Sequence, residues 1–183
     1  MDIKQVPGPA LQALQTAIVG LTKAESRVGW FPSAKYEDGT PVAGVMMVQE
    51  FGSAKRGIPP RPTMRPTVAE KQAGWASQAA GASKAVVAGK LPPTGAVEAL
   101  AMMAQADVRR AIIDLKSPPL SILTLLARKH RKEGGRKVAG GKELGAIDKA
   151  GRANGPPDVS GVSTKPLNDT GHALATLSYE VKT

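Results

Sequence analysis

From Pro9 to Ala24 the apolar positions Leu11, Leu14, Ile18 and Leu21 recur at three- and four-residue steps, which predicts an amphipathic helix opened by Pro7-Gly8-Pro9. Alternation takes over in RVGWF (27–31), as a strand requires. Asp38-Gly39 within YEDGTP is a turn pair suited to a hairpin. The apolar run VAGVMMVQEF (42–51) then reads as the second strand, although its final residues suit a helical turn equally. The alanine-rich stretch 67–89 and the periodic stretch 95–115 predict two long helices, the second capped by Thr94. Leu120-Ser121 opens another helix over ILTLLARKHRK, which runs out at Gly134-Gly135 with basic residues in its last turn. Near the end, Asn168 or Asp169 caps a short helix through Leu177, and SYEVK (178–182) closes as a strand. The sum is an α+β domain over 1–183: a small antiparallel sheet, made of a hairpin plus the C-terminal strand, flanked by several helices.

Two stretches fall outside this periodicity. Residues 52–66 hold Pro59, Pro60, Pro62 and Pro66 interleaved with Arg61 and Arg65. Proline lacks the amide donor and fixes φ, so the stretch reads as a stiff extended arm rather than a helix interior or central strand. Such a segment loses little entropy on docking, which suits the groove of a neighbouring subunit. Residues 134–163 are rich in glycine and charge, too poor in apolar surface to order themselves, and read as a flexible basic insertion.

Charge sharpens this second feature. The chain carries 25 basic and 15 acidic residues, a net +10, which favours an anionic partner. Residues 128–152 contain nine bases (among them Arg128, Lys129, Arg131, Lys132, Arg136, Lys137 and Lys142) against three acids, so over half of the excess lies there. That segment suits DNA or an acidic protein. It contains no aromatic residue for base stacking, so a dedicated single-strand reader is not indicated. Aromatics are only 3% of the chain, so the core must be built from aliphatic residues.

Catalytic chemistry finds no pattern. No cysteine and two histidines, His130 and His172, exclude disulfides and thiolate or histidine-rich metal sites. GGRKVAGGKE imitates a phosphate-binding loop, but Gly141 stands where the lysine belongs. Asp107 and Asp114 share a helical face, with Arg109 and Arg110 as ordinary surface partners. No cofactor is expected. No apolar run approaches the length of a membrane span, and the N-terminus lacks the basic start and apolar stretch of a signal peptide.

Three stretches in one order carry a resemblance. VQEFG…IPPRPTMRPT (48–67), PPLSILTLLARK (118–129) and KPLNDTGHALATLSYEV (165–181) resemble the neck and tail-completion proteins of tailed bacteriophages. In that family an E-F-G stretch precedes a proline–arginine segment and a helix, and a D-T-G segment precedes the last strand. Thr63 stands where the family has phenylalanine, and Thr67 where it has alanine. The resemblance implies a non-catalytic virion protein, made in the host cytoplasm and built into a homo-oligomeric ring or collar. Its implied partners are the portal or head–tail connector and the tail-terminator or tail proteins, with possible contact to packaged DNA and none to a membrane. It further implies that Pro59, Pro60, Arg61, Pro62, Arg65 and Pro66 clasp a neighbouring subunit, and that Asp169, Thr170 and Gly171 form a structural cap. The alternative expectation is a basic protein that binds DNA or RNA nonspecifically through 128–152.

Overall fold

The structure, a computed structural model, describes residues 8–135, 141–152 and 155–182. Among them are seven α-helices and a two-stranded antiparallel sheet, an α+β fold in which helix predominates. The chain packs as two compact units, each assembled from separated segments. One draws on Met1–Ala34, Met64–Arg110 and Leu177–Thr183, the other on Lys35–Thr63 and Ala111–Thr176. Length alone suggests a single domain, and discontinuous units leave no linker for a sequence to announce.

In the first unit α1 (Pro9–Lys23) begins with proline in its first turn, where the missing amide costs nothing. It leads directly into β1 (Glu25–Gly29), which pairs with β2 (Ser178–Lys182). The register sets Glu25 opposite Lys182 and Arg27 opposite Glu180, so opposite charges face each other at two positions. α1 packs on α3 (Met64–Val87), and α4 (Pro93–Asp114) approaches so closely that a Cβ on Gly20 would lie 2.6 Å from the Pro93 ring. Val86, Ala96, Ala101, Val108 and Leu177 form its aliphatic core. Polar ties complete it: Trp75 Nε1 donates to Asp107 Oδ2 at 2.8 Å, and Gln105 Nε2 to the Leu177 carbonyl at 2.6 Å.

The second unit contains α2 (Val42–Phe51), α5 (Ile122–Lys132), α6 (Gly141–Arg152) and α7 (His172–Thr176), with the last residues of α4. Val42, Met46, Ile112, Leu125, Leu126 and Ala173 are its buried apolar residues. Ser121 caps α5, accepting from the Thr124 amide at 3.3 Å.

Three expectations change here. The stretch 42–51 is helical, so no hairpin joins it to 27–31, and the partner of β1 is the C-terminal strand. Val42, Met46 and Glu50 are the buried positions, spaced four apart, and a nearly all-apolar run hides that helical face among its neighbours. The Asp38-Gly39 turn does form, with Gly39 at φ +78° and the Thr40 amide donating to Asp38 Oδ1, but only a single bridge, Lys35 to Pro41, flanks it. Within 134–163, expected to be irregular, residues 141–152 form α6, which packs on α5. Overall composition concealed the local grouping of Ala146 and Ile147, which line a groove with Leu126.

No helix among the described residues is long and apolar enough to cross a membrane.

Candidate site: an arginine cleft in the second unit

The proline–arginine segment is tied back onto its own unit. After α2, Gly52 takes φ +74°, and the chain reverses through a 3₁₀ turn at Ala54–Arg56 closed by paired Ser53–Ile58 backbone bonds. A Cβ on Gly52 would lie 2.8 Å from Pro60 N and 2.9 Å from the Ile58 carbonyl oxygen, so only glycine fits. The returning strand of chain is tied to the helix it has just left. The Arg61 amide donates to the Gln49 carbonyl at 2.6 Å, and the Thr63 amide to buried Glu50 Oε2 at 2.6 Å. α3 then begins at Met64, so Arg65 and Pro66 belong to its first turn, where proline is tolerated.

Arg61 therefore faces inward, at 6% exposure, rather than outward as a clasp. Its Nε donates to the Pro118 carbonyl at 3.0 Å and an Nη to the Pro119 carbonyl at 3.1 Å, with Gln49 Oε1 at 3.5 Å. Proline explains the geometry on both sides. Pro59, Pro60 and Pro62 hold the donor segment free of regular structure, and the carbonyls of Pro118 and Pro119, outside any helix, need a donor. Arg65 is exposed on α3.

The basic run of α5 has a common task. Arg128, also buried, donates from one Nη to the Ser163 and Lys165 carbonyls at 2.6 and 2.9 Å, and from the other to the Pro166 carbonyl at 3.1 Å. Its Nε lies 3.5 Å from Asp169 Oδ1, and Arg131 pairs with the other oxygen of the same carboxylate. Lys129 bonds Asp158, and Lys132 donates to the Gly161 carbonyl at 2.6 Å. Four cations on one helix thus staple a single loop between Asp158 and Asp169. These bases were expected to face DNA or an acidic partner. Instead a loop without strands or helices leaves its carbonyls open, and the adjacent guanidinium and ammonium groups satisfy them. Arg136 and Lys137 lie outside the described residues, as does the Lys142 side chain.

The expected cap is divided. Thr170 Oγ1 accepts from the His172 amide at 3.3 Å, and Gly171 takes φ +77° at the start of α7. Asp169 instead holds Arg128 and Arg131. His172 packs against Tyr36, ring centroids 4.9 Å apart, and its Nε2 lies 2.9 Å from the Lys35 carbonyl. His130 is an exposed residue of the α5–α6 groove. Asp107 serves Trp75 rather than a second carboxylate.

Together these residues line a cleft of about 430 Å³, bounded by Gln49, Ile58, Pro59, Arg61, Pro119, Leu120, Ser121, Thr124, Arg128, Arg131 and Asp169. Burial depresses the proton affinity of both Arg61 and Arg128, although both guanidiniums stay charged. For Arg128 the Asp169 carboxylate works in the opposite direction, while Arg131 and Arg61 add to the depression as nearby like charges. Arg61 has no such carboxylate among the described residues. The wall therefore carries three cations and one anion. Sequence reading named Arg61, Arg128, Arg131 and Asp169, but in three separate roles; it missed Gln49, Ser121 and Thr124. No cluster of acidic or histidine residues able to hold a metal ion occurs among the described residues. Comparison with protein-family models, curated proteins and solved structures finds no match.

Proposed function

We propose that the chain is a structural subunit of a tailed-bacteriophage neck, a non-catalytic ring adaptor between the portal connector and the tail. The observation that carries this reading is that the three stretches bearing the resemblance bond to one another. Arg61 of the first stretch bonds the Pro118 and Pro119 carbonyls of the second, and Arg128 of the second bonds the Pro166 carbonyl and Asp169 of the third. Residues that define a motif and also cross-link one another are what a shared fold requires. In this reading the contact with neighbouring subunits belongs to exposed positions, Arg65 and the α2 residues Met47 and Phe51, and not to Arg61.

The geometry gives less support to a nucleic-acid protein, because Arg128, Lys129, Arg131 and Lys132 are engaged with their own loop. The deciding experiment examines purified phage particles and the isolated chain mixed with its connector, by quantitative mass spectrometry and electron microscopy. Discrete rings and a symmetric copy number are expected, and Arg65→Glu should give a folded chain that enters few particles. Absence of the chain from virions, or a persistent monomer that binds duplex DNA with a steep salt dependence, would overturn the reading.

A further inference from the structure

We propose that the arginine cleft is a receptor for the carboxylate of an acidic peptide segment. The inference does not depend on the neck reading, since any protein partner can supply such a segment. Arg61 is the reason to look for one. A guanidinium at 6% exposure is rarely left without a counter-charge, and its bonds here are to neutral carbonyl and amide oxygens. Asp169, the acid of the cleft wall, is already divided between Arg128 and Arg131. A net charge of about +2 thus remains on the wall of an open cleft, and low local dielectric strengthens its pull on an anion.

Carboxylate fits better than phosphate for two reasons. The oxygens of Pro118, Pro119 and Pro166 already surround the guanidiniums, and their partial negative charge penalises a dianion more than a monoanion. Ile58, Pro59 and Leu120 also line the cleft, and offer apolar contact to the carbon stem of a glutamate. Arginine's planar fork suits the two oxygens of a carboxylate.

The test measures binding of fluorescein-labelled hexaglutamate to the full chain by anisotropy, with hexaglutamine as the neutral comparison. Arg131→Gln removes a cation from the wall and is expected to weaken hexaglutamate binding at least tenfold. Lys84→Gln, which removes the same charge from exposed α3, should change it less than twofold. Gln49→Glu places a carboxylate beside Arg61, and is expected to raise the melting temperature by roughly 2–4 °C while abolishing binding. Circular dichroism melts establish that each variant is folded. Equal loss in Arg131→Gln and Lys84→Gln would reduce the effect to net charge and overturn the proposal. So would a Gln49→Glu chain that melts lower and binds normally. Displacement of the peptide by inorganic phosphate, beyond that by chloride at equal ionic strength, would make the cleft a phosphate site and equally refute the assignment.

Discussion

The Arg61 Nε donates to the Pro118 carbonyl oxygen at 3.0 Å, joining residues 57 positions apart in the sequence. An Nη of the same group reaches the next carbonyl, at Pro119. One side chain thereby holds the entry to α5 against the exit from α2, inside a unit with few large apolar residues.

Loss of that side chain should be costly. Arg61→Ala leaves two carbonyls without their donor and opens a gap, so a loss of about 2–4 kcal/mol is expected. Arg61→Lys keeps the charge but cannot span both carbonyls, and should fall between the two. Urea denaturation followed by circular dichroism gives the ordering. A loss below about 0.5 kcal/mol for Arg61→Ala would mean that the tie contributes little.

Gly52→Ala tests the reversal after α2. The φ of +74° disfavours any side chain, and the added Cβ would meet Pro60 N and the Ile58 oxygen below contact distance. A cost above about 2 kcal/mol is expected, larger than the ordinary strain of a left-handed alanine, because backbone atoms cannot move aside cheaply. Gly57→Ala is the comparison: its φ is +61°, yet nothing lies within 4 Å of the added carbon. Near-equal melting temperatures for the two variants would remove the steric part of the argument.

The Lys129–Asp158 contact predicts a pH dependence. The hydrogen bond from Lys129, followed by those from Ser160, holds the Asp158 carboxyl well below its ordinary range. A folded-state value lower than the unfolded one stabilises the fold fully above the unfolded pKa, near about 4. The contribution then disappears as pH falls from there toward the depressed folded value. Wild type and Asp158→Asn should therefore differ in melting temperature at pH 6, and converge as the pH is taken down below 4. A difference that stays constant across that range would assign the effect to something other than ionisation.

Trp75 and Asp107 give a milder case. Asp107→Asn retains an acceptor for Nε1 and should be almost neutral. Asp107→Leu leaves the indole N–H without its 2.8 Å partner and should cost about 1 kcal/mol. Denaturation monitored by Trp75 fluorescence in a Trp30→Phe background reports the difference. Equal stability of the asparagine and leucine variants would show that the bond is not needed.

Much of the local structure was legible in the residues. The periodic stretch ILTLLARKHRK is α5, bounded by Ser121, and SYEVK is β2. In 42–51 the same reasoning erred, because a run with scarcely any polar residue satisfies the strand and helix patterns alike. What separates them there is which positions are buried, and Val42, Met46 and Glu50 acquire that property only by packing.

The arginines mark the boundary between the two kinds of information. Charge, proline and glycine positions identified 52–66, 128–152 and 169–171 as special, because those residue types restrict backbone and solvation locally. Their purpose was not local. A basic segment reads the same whether it faces a neighbour or its own chain, and only the fold brought Pro118 to within bonding distance of Arg61, and Pro166 and Asp169 to within that of Arg128. The sequence by itself determined most of the helices, the last strand and the cationic character of the chain. Tertiary structure alone decided where those cations point, since a guanidinium's partner depends on which carbonyls lack donors after the backbone has folded.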